Sequence, residues 1–199
     1  MTDITVLGAG MAGLVCAQQL TQAGYSVKVI DKSRGVGGRV ATRRLFETKA
    51  DHGACYLKPK GELSQRLAKL LVAKGNLKVW TDTLHVQDNS SSVIANLPPS
   101  LPHIAPLGMN VIAKFLAQGL EIHHNQRVNQ ISLTNQQQWR LTSETSSDEF
   151  TTASLAIAIP APQAMILLEP LAENVLKNDF LTKLGSVEYY PCITVMSGY

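Results

Sequence analysis

Ile4-Thr5-Val6-Leu7-Gly8-Ala9-Gly10-Met11-Ala12-Gly13 is the stretch that decides the fold. Ile4 to Leu7 form a short apolar run rich in β-branched residues that stops abruptly at Gly8, the pattern of a strand buried in a parallel sheet. From Met11 to Ala23 the apolar positions Leu14, Val15, Ala17 and Leu20 recur at helical spacing, and Gly24 supplies a stop. Ser26-Val27-Lys28-Val29-Ile30 then reads as a second strand ending at Asp31, so the chain opens with one strand–helix–strand unit. Each glycine between the first strand and the helix has a task that excludes a side chain. Gly8 permits the tight turn, Gly10 lets the backbone approach a pyrophosphate, and Gly13 lets the helix pack on the strand. An anion placed there meets unpaired N–H groups and the positive end of the helix dipole. Asp31 lies 18 residues after Gly13, where a carboxylate accepts hydrogen bonds from an adenosine ribose.

The residues after Asp31 select among the dinucleotides, because NAD and FAD share the adenosine half. No second regular helix starts there. The chain turns instead through Ser33-Arg34-Gly35-Val36-Gly37-Gly38-Arg39, which returns bare backbone and a guanidinium toward the pyrophosphate and suits a long cofactor buried along its length. That pattern predicts FAD. Arg34 would suit a 2′-phosphate, but Asp31 would repel one, which disfavours an NADP site.

Further along, Leu63, Leu67, Leu70 and Leu71 predict an amphipathic helix closed by Lys74-Gly75-Asn76, followed by a strand over Leu77 to Trp80 and a β-rich stretch through Val93-Ile94-Ala95. Residues 98 to 106, with Pro98, Pro99, Pro102 and Pro106, read as a connection over the surface. Asn110 is a plausible N-cap for a short helix carrying Val111, Ile112, Phe115 and Leu116. Strands over Leu120 to Ile122, Val128 to Ile131, Trp139 to Thr142 and Glu149 to Thr151 are expected to form a meander, with a separate buried strand over Leu155 to Ile159. Pro160-Ala161-Pro162 opens a helix, a further helical pattern covers Leu171 to Leu184, and Val187 to Tyr190 with Ile193 to Met196 reads as the next strand.

The 199 residues, 45% hydrophobic, suffice for one sizeable core, and the net charge of +3 is spread along the chain, which gives no electrostatic track for nucleic acid. Cys16, Cys55 and Cys192 fit neither a disulfide framework nor a zinc spacing, so a reducing, cytoplasmic setting and no metal are expected. There is no signal-peptide pattern and no apolar run able to span a bilayer, so no membrane partner is expected. His123-His124 reads as a solvated or packed pair, and Cys55 is the thiol whose reactivity is of interest.

The runs Gly8 to Leu14, Asp31-Lys32-Ser33-Arg34-Gly35-Val36-Gly37-Gly38-Arg39, Asp51-His52-Gly53-Ala54, Pro106-Leu107-Gly108-Met109 and Ile157 to Gln163 resemble, in order and approximate spacing, the flavin amine-oxidase superfamily and within it the renalase-like flavoproteins. The resemblance implies an α/β fold: a Rossmann-like FAD-binding domain of the GR2 flavoprotein type over 1–57 and 107–163, with a partial α+β substrate domain over 58–106 and 164–199. It implies a cofactor-binding set of Gly8, Gly10, Met11, Ala12, Gly13, Asp31, Lys32, Gly38, Arg39, Asp51, Gly53, Ala54 and Val128. In that set Asp31 binds the adenosine ribose, Gly38 and Arg39 line the pyrophosphate and ribityl region, the Val128 backbone meets adenine, and Asp51 to Ala54 lie close to the flavin. Asp51 reads equally as an N-cap or turn residue. Where relatives continue with a Gln-Tyr-Phe-like sequence, this chain has Cys55-Tyr56-Leu57.

Such relatives oxidise a small reduced molecule by hydride transfer to FAD and pass the electrons to oxygen as hydrogen peroxide. For renalase-like members the small molecule is a dihydro isomer of NAD(P)H rather than an amine. Relatives also continue past the position of Tyr199, with a final Gly-Asp segment at the flavin, so a C-terminal truncation is expected. The alternatives are a catalytically silent dinucleotide-binding fragment, an amine oxidase, and an NAD(P)-dependent dehydrogenase. No catalytic residue is assigned.

Overall fold

The computed structural model describes residues 2–88, 91–96, 101–172 and 175–196, with side chains left aside over 84–96. The opening unit forms as expected: strand β1 (Thr2–Leu7), helix α1 (Met11–Gln22) and strand β2 (Val27–Ile30). A 3-10 turn at Gly38–Val40 leads into the hairpin β3 (Thr42–Leu45) and β4 (Thr48–Asp51). Helix α2 (Glu62–Ala73) and strand β5 (Lys78–Val79) follow, then β6 (Thr83–Asp88), β7 (Ser91–Asn96) and β8 (His103–Ile104). The remainder comprises α3 (Asn110–Leu116), β9 (Glu121–His123), β10 (Val128–Leu133), β11 (Trp139–Ser143), β12 (Glu149–Ile157), α4 (Ala161–Leu168), a 3-10 turn at Glu169–Leu171, and α5 (Asn178–Gly185).

The chain divides into two compact units, residues 1–38 with 113–193 and residues 39–112 with 194–199. These boundaries differ from the domains expected from the sequence. Residues 39–57 and 107–112 group with the second unit, and 164–193 with the first, because α4 and α5 bury their leucines on the main sheet.

The first unit is built on a six-stranded sheet in the order β10-β11-β12-β1-β2-β9. β12, β1, β2 and β9 run parallel, and β10 and β11 extend the sheet antiparallel. Its core joins Leu7, Ile30, Ile131, Leu141 and Phe150 of the sheet to Ala164, Leu167, Leu168, Leu171 and Leu181. α1 buries Gly13, Leu14 and Ala17 and packs on β1 and β2. The N-terminus of α4 is capped by a distant residue, the Tyr189 hydroxyl accepting the Ala161 N–H at 3.0 Å.

Four expectations for this unit change. Leu120 to Ile122 does not begin the meander: Glu121–His123 pairs parallel with β2, Lys28 opposite Glu121, and joins the doubly wound part of the sheet. The two strands expected at 149–151 and 155–159 are one strand of 9 residues. Its first half pairs antiparallel with β11 and its second half parallel with β1, and the polar break at Thr152 is absorbed because the single proton of that buried hydroxyl has carbonyl acceptors in Ser154 at 3.0 Å and Thr2 at 3.3 Å. Among the described residues the helical pattern over 171–184 yields α5 and the preceding 3-10 turn, with Lys177 extended (φ −73, ψ 138) before α5 begins. Residues 187–196 are not a strand among the described residues: β-branched composition does not suffice where no neighbouring strand completes a ladder.

In the second unit, β3 pairs with β4, β5 with β8, and β6 with β7, each antiparallel. α2 buries Ala68 and Leu71. The proline segment is no simple surface connection. Pro102 is fully buried, its carbonyl accepts the Trp80 N–H at 2.8 Å, and Leu57 and His103 exchange two backbone bonds of 2.8 Å. Proline keeps its carbonyl, so it fits a short edge strand that needs only acceptors at that position. Pro98 and Pro99 lie outside the described residues.

Candidate functional site

In the first unit, the carboxyl ends of the central strands are tied together by main-chain bonds. The Gly8 N–H donates to Ile30 O at 2.8 Å, the Ala158 N–H to Leu7 O at 2.8 Å, and the Asp31 N–H to His123 O at 2.9 Å. β1 stands between β12 and β2, the place where strand order reverses and where ligands of open α/β sheets bind. Gly8 turns here at φ 110, and a Cβ on it would lie 2.8 Å from Ala158 O. Gly13 is still more constrained: a Cβ would fall 1.9 Å from the Gly8 carbonyl oxygen. Both glycines are required by the fold itself.

Gly10 differs. A Cβ there would meet nothing within 4 Å, and its φ of −77 is ordinary for any residue. Steric necessity within the protein does not account for this glycine, which faces open space. Gly10 is also the N-cap of α1, with no side-chain cap and no acidic residue in the first turn. The Ala12 and Gly13 N–H groups therefore have no partner among the described residues, whereas the Leu14 N–H donates to Gly10 O.

The second glycine loop lies against the first. Gly10 and Gly37 form a parallel bridge, the Gly37 N–H donates to Ala9 O at 3.0 Å, and a Cβ on Gly38 would stand 3.2 Å from the Gly10 Cα. Asp31 braces both. Its Oδ2 accepts the Ala9 N–H at 2.6 Å and its Oδ1 accepts the Ser33 N–H at 2.7 Å. A carboxylate has about four acceptor sites, so lone pairs remain for further donors. Lys32 is exposed beside it. The turn before β10 docks on the same loop, the Asn125 N–H donating to Ser33 O and the Gln126 N–H to Asp31 O, which brings Val128 to this end of the sheet.

In the second unit, Arg39, Asp51, Gly53 and Ala54 are arranged around backbone contacts. Arg39 O accepts the Ala54 N–H at 2.8 Å, and a Cβ on Gly53 would lie 2.1 Å from that oxygen. The Arg39 side chain is exposed, with no ion-pair partner among the described residues. Asp51 takes the structural role. Its Oδ1 accepts the Thr42 hydroxyl and, at 2.9 Å, the Met109 N–H, while Thr42 Oγ1 accepts the Asn110 N–H at 3.1 Å. The start of α3 is thus capped from the β3–β4 hairpin, and the Asn110 side chain is not its cap. Cys55 is exposed and its thiol donates to Asp51 O at 3.4 Å.

Sequence reading missed Ala9, Gly37 and Thr42. Gly37 was visible as half of a glycine pair, but a lone threonine in a strand gives no signal that its hydroxyl will meet a helix N-terminus. His123 packs edge-on against Phe150 and bonds Glu121 at 2.9 Å, in keeping with a packed surface histidine. That bond, with Lys28 at 3.3 Å adding to it against slight burial, holds the Glu121 carboxyl below the usual carboxylate range. Among the described residues no acidic, histidine and cysteine side chains group as a metal site, and no helix is long and apolar enough to cross a membrane.

The comparisons with known proteins agree with this geometry. Residues 6–71 match the family of NAD(P)-binding Rossmann-like domains, and residues 76–199 match the family described as flavin containing amine oxidoreductase. The flavin-dependent L-tryptophan oxidase of Lentzea aerocolonigenes is 54% identical over 44 residues, covering 22% of this chain and 9% of that protein. An L-amino-acid oxidase of Crotalus adamanteus is 38% identical over 76 residues, covering 38% of this chain and 14% of that protein. A solved structure of putrescine oxidase with putrescine superposes with a TM-score of 0.64 at 13% identity, covering 83% of this chain and 60% of that one, which shows a shared fold. The chain therefore spans a small part of the curated relatives it matches and about three fifths of the structural neighbour. The fold is α/β and Rossmann-like, and the family's cofactor is a flavin, in agreement with the FAD expected from the paired glycine loops. The chain belongs to the flavin containing amine oxidoreductase family.

Proposed function

We propose that this chain forms the FAD-binding part of a renalase-like oxidoreductase that takes a hydride from a small reduced substrate, such as a dihydronicotinamide isomer, and passes the electrons to oxygen to give hydrogen peroxide. The observation that carries the reading is the open space at Gly10 beside the uncapped first turn of α1. An anionic pyrophosphate fits that space because unpaired N–H groups and the helix dipole face it. In this reading Gly8, Gly10, Met11, Ala12, Gly13 and Gly38 form the pyrophosphate cradle. Asp31 offers its free lone pairs to the ribose, with Lys32 beside it, and the Val128 backbone meets adenine. Arg39 contributes its guanidinium, and Asp51, Gly53 and Ala54 hold the Arg39 backbone and the hairpin in place. FAD, when bound, supplies the hydride acceptor, so the protein's own residues bind, orient and exclude water.

The amine oxidases and L-amino-acid oxidases among the relatives favour a second reading in which the reductant is an amine or amino acid. The coverage of 60% of the structural neighbour is what a third, catalytically silent dinucleotide-binding fragment would also give. One experiment orders the three: incubate the purified chain with excess FAD, remove what stays free, record the visible spectrum, and assay peroxide with dihydronicotinamides and with amines. Retained flavin with peroxide from the nicotinamides alone supports the proposal. Peroxide from amines alone replaces it with the second reading, and retained flavin without turnover supports the third. A colourless protein overturns FAD binding by this chain. Gly10→Val is expected to leave the thermal melt close to wild type while abolishing flavin retention; retained flavin in that variant would remove Gly10 from the site.

A further inference from the structure

The β3–β4 hairpin closes through a two-residue turn, Phe46–Glu47, between the paired residues Leu45 and Thr48. Phe46 stands at φ 51, in the left-handed region that glycine, asparagine and aspartate occupy at low cost and a bulky aromatic does not. Its side chain is 97% exposed, so no packing inside the protein offsets that cost. The ladder behind the tip carries a second unfavourable arrangement. Arg44 and Lys49 are directly opposed across the strands, where like charges repel. Arg43, Arg44 and Lys49 are all exposed, and none has an acidic partner among the described residues; Glu47 is the lone acid at the turn.

Two local choices that disfavour the isolated hairpin coincide at one tip. The exposed ring and the clustered cations both gain against one kind of surface, with an apolar layer reached by a projecting aromatic and a layer of negative charge just above it. The expectation of no membrane partner rests on the lack of a spanning run and does not reach surface docking: we propose that the β3–β4 tip docks on an anionic lipid bilayer, Phe46 entering the interfacial layer and Arg43, Arg44 and Lys49 meeting lipid phosphates. The turn carries one fully projecting aromatic, Phe46, which a bilayer accepts without a preformed pocket, and the three cations, without acidic partners among the described residues, complement the surface charge. The inference does not rest on flavin chemistry.

Cosedimentation of the full chain with phosphatidylserine-rich and with pure phosphatidylcholine vesicles tests it. The chain is expected to pellet with the anionic vesicles at low ionic strength, to be released by salt, and to stay in solution with the neutral ones. Two variants separate docking from folding, because each should favour the hairpin while weakening docking. Phe46→Gly suits the positive φ and is expected to keep or raise the melting temperature, yet to weaken vesicle binding about tenfold. Lys49→Glu sets a carboxylate opposite Arg44, and with about fivefold per charge step it should lower binding at least tenfold with no loss of stability. The proposal fails if wild type does not pellet, if neutral vesicles bind equally, or if Phe46→Gly pellets like wild type. Capture of the chain by polyglutamate without vesicle binding would also overturn it, assigning the patch to an acidic protein.

Discussion

Two glycine-bearing turns, one in each compact unit, look alike in the sequence and differ in what their glycines do. Around Gly8–Gly13, two glycines are demanded by contacts of 2.8 and 1.9 Å that a Cβ would make with backbone oxygens, while Gly10 faces open space. Around Asp51–Ala54, Gly53 is demanded in the same way by the Arg39 carbonyl, 2.1 Å from its Cβ position, and Asp51 is occupied with Thr42 and the start of α3. A glycine motif is therefore a mixture of positions that the fold requires and positions that it leaves open. The first turn leaves Gly10 facing open space; the second is closed by its own protein contacts.

The largest effect should come from breaking the fold-serving half. Gly13→Ala forces a Cβ onto a backbone oxygen that cannot swing away, and a loss of more than about 4 kcal/mol is expected, enough to prevent folding of the first unit. A cooperative melt near the wild-type temperature would show that the turn can open, and the contrast with Gly10 would lose its meaning. Asp31→Ala tests the brace between the two loops. Removing the acceptor of the Ala9 and Ser33 N–H groups should cost about 1–3 kcal/mol in denaturant unfolding, and FAD affinity should fall with it. Unchanged stability with weakened FAD would leave Asp31 a ligand contact alone.

Asp51→Asn probes the second turn. The amide can keep one acceptor but loses the charge on the α3 N–H groups, for a cost of about 1 kcal/mol, and flavin retention is expected to change little. A large loss of flavin without a shift in the melt would return Asp51 to the cofactor set. The smallest effect concerns Glu121 on the edge strand. Its folded carboxyl titrates below its ordinary value near 4.5, so the stability it adds is present above that value and is lost as the pH falls through the folded one. Glu121 is exposed, so the contribution is well under about 1 kcal/mol. A comparison of urea midpoints for wild type and Glu121→Gln should show a gap at neutral pH that closes on acidification.

Much of the opening unit was legible because its signals are local. A β-branched run ending at a glycine, helical spacing from Met11 and an acid after the second run each describe a backbone state that few other sequences tolerate. The strand pairings were less legible. Glu121–His123 reads as one more short strand of a meander, yet it lies parallel to β2, and only the main-chain bonds from Lys28, Val29 and Ile30 place it there. Val187 to Met196 has strand composition and forms none among the described residues, since composition cannot supply a neighbour.

The site divides in the same way. By itself the sequence determined that Gly8 and Asp31 follow the carboxyl ends of adjoining parallel strands and that Gly10 and Gly13 stand at the start of the helix between them, because close spacing along one strand–helix–strand unit fixes their proximity. The tertiary structure decided which glycines the fold itself requires, that Asp31 already holds Ala9 and Ser33, and that Thr42 and Asp51 cap α3 across 68 and 58 residues of chain. Those facts depend on which backbone oxygen or N–H lies opposite a given Cα, a matter of ångströms between segments distant in the chain. Residue type records what a position can do, and only the packed chain selects what it does.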